Sequence, residues 1–371
     1  MSWPRSPLLM VASSSRTGPA EGQLALARYL RAQGLDARVA ADSVKPGDIG
    51  EELARAGVPW VRELKLSRHL RPGEVIQDAR TLRGWVKQGS PDVLHAAFAH
   101  DHLLALWAAR GTQALVVRTA HRAADLLPGP LGIRLRALRR SDGVVVHSAE
   151  SRARLIRAGI APERLLHLFG GVDSSRFAPG RAPALRAQWG VSEDAPLAGI
   201  VARMKPERAH QLLLRAFANV SAPDARLVLV GRGEDEPRLR AIADEVAPGR
   251  VIFGGYLRGP GLVDAYRALD VAVWLREGND GACRGVLEAM ACGLPVVAGN
   301  QGAPPELVSS TGRVVSDQPE LTSALDELLG DLKLARRLGA LARARAEGFT
   351  HERAGARVLA FWRELHGLRK S

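Results

Sequence analysis

Two cysteines, Cys283 and Cys292, are all that this chain of 371 residues contains, and nine positions separate them. That is neither a disulfide framework nor a zinc pattern, so a reducing, cytoplasmic setting is the expectation. Long apolar runs are also missing. Nothing approaches the ~18–20 uninterrupted apolar residues that a membrane-crossing helix needs. The short apolar stretch Pro7 to Ala12 is followed at once by a basic, glycine-bearing turn, and it reads as a buried strand rather than a secretory signal. Short-period repeats and low-complexity tracts are absent too, which excludes solenoids and disordered linker proteins.

What is present belongs to a globular chain: 46% hydrophobic residues and 25% charged. The length exceeds one ordinary domain and fits two of about 180 residues each. The net charge of +13 is unevenly spread. Residues 1–180 carry 26 basic and 16 acidic side chains, a net of +10, and the remaining 191 carry 26 and 23, a net of +3. Arginine-rich composition raises the total but does not explain the asymmetry. An anionic partner for the first half follows as an expectation: a membrane surface, a phosphorylated glycolipid or a nucleic acid.

Short β-like runs alternate with amphipathic helical patterns along both halves. PLLMVAS, DARVAA, DVLHAAF, ALVVRTA and GVVVHSA are strand candidates in the first. PLAGIVAR, RLVLVG, VIFGGY, DVAVWL and PVVAG are those in the second. Such alternation predicts α/β architecture with parallel sheets in two Rossmann-like, doubly wound lobes facing a central crevice. The expected domains are 1–178, 179–352 and a helix over 353–371 that crosses back to the first lobe. The best linker lies around Pro179, Gly180 and Pro183.

Three segments of the second half fall at strand-to-helix turns. In GIVARMKPERAH, Arg203 leaves a strand and Arg208 opens the next helix, two cations that suit a diphosphate. In LVLVGRGEDE, Gly231 and Gly233 permit a tight turn and close approach by a nucleotide, and the acidic triplet after them reads as a helix-start charge run. In DVAVWLREGNDGACRGVLEAMACGLPVV, a helix is predicted from about Cys283 to Cys292, capped by Gly293. The peptide N–H groups around Ala282, Cys283 and Arg284 then make an anion site with the helix dipole behind them. Asp280 stands in the preceding loop and Glu288 inside the helix.

Here the residues resemble glycosyltransferase family 4, within the GT-B fold. The family's signature is Glu, seven residues, Glu, then Ala-Met-Ala-x-Gly-x-Pro-Val-Val. This chain has EAMACGLPVV from Glu288, with Asp280 in place of the first glutamate and Glu277 three residues too early. Arg203 matches the family's arginine, and Arg208 stands where lysine is usual. Gly171, Val172, Asp173 and Phe177 resemble the Asn-Gly-Val-Asp turn and later Phe; Gly302, Pro305 and Glu306 resemble Gly-Gly-x-Pro-Glu. In the first half, Gly18 and Glu21 resemble the Gly-Gly-x-Glu opening, Thr119 and His121 the Thr-x-His strand end, and Ser148 and Glu150 the Ser-Glu segment.

The resemblance implies a retaining glycosyltransferase that moves a sugar from a nucleoside diphosphate to a glycan or lipid-linked acceptor, in lipopolysaccharide or other cell-envelope synthesis. It places Arg203, Arg208, Gly281, Ala282, Cys283 and Glu288 on the donor, His121 and Asp280 by the reacting sugar, and Gly18 in the acceptor loop. Front-face attack, with the leaving phosphate helping to deprotonate the acceptor, requires no side-chain nucleophile. The resemblance implies no metal and no cofactor beyond the nucleotide-sugar co-substrate. The cluster His95, His100 and His102 is accordingly read as structural, with His102 on a helix surface. His210 is either near the phosphates or a simple helix-start residue.

Other readings are a sugar-nucleotide epimerase with the same nucleotide lobe, and a nicotinamide-dependent dehydrogenase suggested by GRGEDE. The second lacks the full glycine fingerprint and its ribose-binding acid. A nucleic-acid binder explains the charge but none of the Asp280–Glu288 pattern.

Overall fold

The structure is a computed structural model that describes residues 3–15, 17–67, 72–121, 126, 132–276, 281 and 283–369. By its contacts the chain forms two compact units. The first comprises Met1–Gly171 and His351–Ser371, with Gly281 assigned to it; the second comprises Val172–Gly278 and Cys283–Thr350.

The first unit is built on seven parallel strands: β1 (Pro7–Val11), β2 (Arg38–Ala41), β3 (Trp60–Val61), β4 (Val93–Ala96), β5 (Leu115–Ala120), β6 (Gly143–Val146) and β7 (Leu165–His167). Their order is β3-β2-β1-β4-β5-β6-β7. Strands β1, β4, β5 and β6 are buried along their whole length, which is why they read as continuous apolar runs rather than alternating ones. The second unit has six parallel strands: β8 (Leu197–Val201), β9 (Arg226–Val230), β10 (Val251–Gly255), β11 (Val271–Trp274), β12 (Val296–Gly299) and β13 (Arg313–Val315). Their order is β10-β9-β8-β11-β12-β13. Both orders run outward from one strand and then reverse, so each sheet has a switch point: β1/β4 in the first, β8/β11 in the second. Ligands of open α/β sheets bind outside the strand ends at such points.

The helix His351–Leu368 returns to the first unit, as its apolar spacing predicts. It packs on the helix Gly18–Ala32. Its Trp362 is fully buried and meets the His95 ring edge-on at 5.6 Å.

The segment anticipated as linker is folded into the second unit. The Val172 amide donates to the Phe349 carbonyl at 2.9 Å, and Val172 bridges Thr350. Arg343 donates to the Phe177 carbonyl, Arg267 to that of Ala178. The chain therefore changes unit between Gly171 and Val172, ahead of the proline- and glycine-rich stretch, and again between Thr350 and His351. Among the described residues no helix is long and apolar enough to cross a membrane.

Candidate active site

At the second switch point Ala198 and Gly199 of β8 pair with Val271 and Ala272 of β11, a register that brings Val201 and Trp274, the last residues of the two strands, level with each other. Arg208 ends a short 3-10 turn after β8 and is 8% exposed. Its guanidinium lies 4.8 Å from the ring centre of Trp274, the last residue of β11, and donates to the Arg276 carbonyl at 3.2 Å. The cation is thus held on an aromatic face at the strand end, an arrangement in which lysine would lose the planar stack. The buried indole N–H of Trp274 has no acceptor among the described residues. Arg203, in the loop after β8, is exposed, so it contributes a solvated charge rather than a buried one.

The helix after β11 runs Arg284–Ala291, with Cys292 as its C-cap and Gly293 left-handed beyond it, close to the sequence expectation. Cys283 precedes it, buried and at positive φ, and its carbonyl accepts from the Val286 and Leu287 amides. Gly285 meets the Trp274 ring so closely that any Cβ there would enter it, and this lets the helix start sit against the end of β11. Glu288, 6% exposed, is gripped from two sides. Its Oε2 accepts from the Tyr266 hydroxyl at 2.9 Å, and its Oε1 lies 3.3 Å from Arg284 Nε. Burial first, then the Glu288 charge, pushes the Tyr266 hydroxyl well above its ordinary value, so tyrosine stays the donor.

Asp280, Ala282 and Glu277 lie outside the described residues. Gly231 and Gly233 also have a packing role. A Cβ at either would strike protein backbone, the Ala202 carbonyl for one and the Met204 carbonyl for the other. The glycines let the loop after β9 close onto the loop after β8, where the Met204 amide donates to Arg232 at 3.1 Å. His210 begins the helix His210–Ala218 with 1% exposure, and neither ring nitrogen has a partner among the described residues. Burial, and then the Arg208 charge, hold it down to about 4, so it is neutral and adds no charge to a phosphate site.

In the first unit Gly18 is the first residue of the helix after β1, capped by Thr17, whose hydroxyl accepts from the Ala20 amide at 3.4 Å. His121 follows β5, two strands away from β1 in the sheet, and is 7% exposed. Its ring lies beside that of His147, centres 5.3 Å apart. Gly281 covers the pair: a Cβ there would strike the His121 carbonyl and come within 3.4 Å of His147 Cδ2.

Two histidines of the cluster, His95 and His102, are packed inside the first unit. His102 is not on a surface: it is 3% exposed, with Nε2 2.7 Å from the Ser141 hydroxyl. His95 Nε2 is 2.7 Å from the Thr119 hydroxyl. Asp101, between His100 and His102 and fully buried, ties the β1 and β4 ends together by accepting from the Ala12 and Phe98 amides. Sequence reasoning missed Trp274, Tyr266, Asp101 and His147. Only His147 had a visible signal, since it follows an apolar strand run just as His121 does.

Residues 195–331 match the family described as "Glycosyl transferases group 1", and residues 18–176 match "Glycosyltransferase Family 4". A GDP-mannose-dependent alpha-mannosyltransferase of Mycobacterium tuberculosis is 32% identical over 305 residues, 76% of this chain and 75% of that protein. A GDP-mannose-dependent monoacylated alpha-(1-6)-phosphatidylinositol monomannoside mannosyltransferase of Corynebacterium glutamicum is 35% identical over 195 residues, 49% of this chain and 51% of that protein. The matches thus span from half to three quarters of these relatives' lengths. Among solved structures, Anabaena Alr3699/HepE in complex with UDP and glucose superposes with a TM-score of 0.80 at 19% identity, covering 96% of this chain and 100% of that one. At that identity the likeness speaks for the fold, a GT-B glycosyltransferase architecture. The chain belongs to the group 1, family 4 glycosyltransferases.

Proposed function

We propose that this protein is a retaining glycosyltransferase that transfers a hexosyl group from a nucleoside diphosphate to a lipid-linked glycan acceptor at the cytoplasmic face of a membrane. The observation that carries the reading is Arg208 fixed on Trp274 at the β8/β11 switch point, beside the helix that bears Glu288. Arg208, Arg203 and the amides at the start of that helix neutralise the diphosphate. Glu288 accepts from ribose hydroxyls. Asp280, with the backbone of Gly281, Ala282 and Cys283, holds the sugar, and His121 receives one of its hydroxyls. Gly18 belongs to the acceptor loop.

In the reaction the bond from the anomeric carbon to the diphosphate oxygen breaks as the acceptor oxygen bonds to the same face. The acceptor's proton passes to the departing phosphate, leaving a glycoside and a nucleoside diphosphate. Positioning and leaving-group stabilisation supply the rate, and no metal is required. The names of two relatives favour GDP-mannose as donor and a phosphoinositide-type glycolipid as acceptor over a lipopolysaccharide core. The test is a thermal-shift panel of GDP-, UDP- and ADP-sugars, followed by NMR of the glycolipid product with EDTA present. A β-anomer from an α-donor, or activity that EDTA abolishes and Mn²⁺ restores, overturns the reading.

A further inference from the structure

Three strand ends line up in the first unit. The last register pairs are Ala120 with Val146 and Val146 with His167. The next residues are therefore His121, His147 and Leu168 on three neighbouring strands, and the Leu168 amide extends the ladder to the Val146 carbonyl at 2.9 Å. Their side-chain contacts run in one line. His147 Nδ1 is 2.7 Å from the Leu168 carbonyl oxygen, and His147 Nε2 is 3.4 Å from His121 Nδ1.

A carbonyl can only accept, so His147 Nδ1 must carry the proton. In a neutral ring Nε2 is then an acceptor, and the proton between the two rings must belong to His121 Nδ1. We infer that His147 is a positioning residue that holds His121 as the Nδ1–H tautomer, making His121 Nε2 a hydrogen-bond acceptor for a hydroxyl of the transferred sugar. The inference rests on the proposed place of His121 beside that sugar. The device works like the second-shell carbonyl that fixes a metal-bound histidine, with one imidazole interposed. Because all three members sit one residue beyond paired strands, the sheet register fixes their spacing. Buried on strand ends beneath Gly281, the pair is held by a rigid element rather than by a loop. The site thereby selects for a hydroxyl that donates, and a deoxy or fluoro sugar at that position leaves Nε2 without its proton.

The test combines histidine ¹⁵N NMR of the full chain with kinetics of His147→Phe and His147→Gln. In the wild type, both rings should show the Nδ1–H pattern. Phe at 147 should release His121 to the Nε2–H tautomer and lower kcat roughly tenfold to a hundredfold, as misplacing a reacting group does, with donor KM little changed. Gln, whose side-chain oxygen can accept from His121, should recover most of kcat and the Nδ1–H signal. A wild-type His121 found as Nε2–H, or a His147→Phe protein with unchanged His121 spectrum and kcat, overturns the proposal. A tautomer change without any loss of turnover upholds the dyad and overturns instead the placing of His121 at the sugar. Should the Phe variant fail to fold, the wild-type spectrum and the Gln variant decide.

Discussion

At Arg208 the charge and the shape of the side chain can be tested apart. Alanine removes both the cation and the stack on Trp274, and kcat/KM should fall by about 2–4 kcal/mol of transition-state stabilisation. Lysine keeps the charge and should recover most of it. Equal damage from the two variants would mean that the stacked plane matters and the phosphate does not. The buried histidines make a second, independent test. Burial holds His95 and His102 down to about 3 and His210 to about 4, against 6.5 for a free ring. Between those values the unfolded chain binds more protons, so their stabilisation is complete above pH 6.5 and is lost as the pH falls toward 4 or 3. Asp101 opposes them, because burial lifts it from 3.8 to about 6. Its share is present below pH 4 and is lost as the pH rises through 6. Three groups outweigh one, and urea unfolding should show lower stability at pH 5 than at pH 7. His102→Gln keeps a partner for Ser141 and should flatten that fall by about 1–2 kcal/mol. An unchanged slope in that variant would show that His102 titrates normally.

At the scale of elements, the helix Arg284–Ala291 owes its position to Gly285. Alanine there would gain about 1 kcal/mol of helix propensity, but its methyl must displace the Trp274 ring, at a cost of about 1–3 kcal/mol. The adjoining cavity of about 10 Å³, bordered by Tyr266, Trp274 and Gly285, cannot absorb that shift. Gly285→Ala should therefore destabilise the protein and weaken nucleotide binding. Gly84→Ala, in the helix Pro72–Lys87 with open space around the new methyl, should stabilise it. If both variants gained stability in urea, the close approach would be refuted. The elements themselves were legible in the sequence, because parallel strands buried on both faces are unbroken apolar runs and the helices between them repeat at helical spacing. Arg208 and Glu288 were legible as members of a spaced motif. Their holders were not. Trp274 reads as one more apolar strand residue, and Tyr266 meets Glu288 from 22 positions away. His102 looked solvated from its helical context, whereas its partner, Ser141, is the C-cap of the helix Ile133–Arg140, 39 positions away. The unit change at Val172 was not legible for a similar reason: proline and glycine mark local turns, whereas the tertiary bonds of Val172 and Phe177 tie this stretch to the second unit.

For the molecule as a whole, the +10 of residues 1–180 motivates a prediction of binding to an anionic surface. Leu103, Trp107 and Ile133 in the first unit are 46%, 48% and 44% exposed, and the helix Ile133–Arg140 carries Arg134, Arg136, Arg139 and Arg140. Apolar side chains among arginines suit an anionic lipid surface. Vesicles rich in anionic lipid should bind the protein at low salt and release it as salt screens the charge, and Trp107→Ser should weaken binding without slowing transfer to a soluble acceptor. Equal binding to neutral vesicles would refute charge-driven docking, and no binding to either at low salt would argue for a soluble acceptor. The return of the helix His351–Leu368 carries a consequence for synthesis. The ribosome makes residues 172–350 before it makes Trp362, which fills the first unit's core. The second unit can close on itself while the tunnel still holds its successor, whereas the first must wait, open, until that helix follows. Of the two units the one begun first is therefore the one finished last, and chaperones or a nearby membrane have the longer access to it.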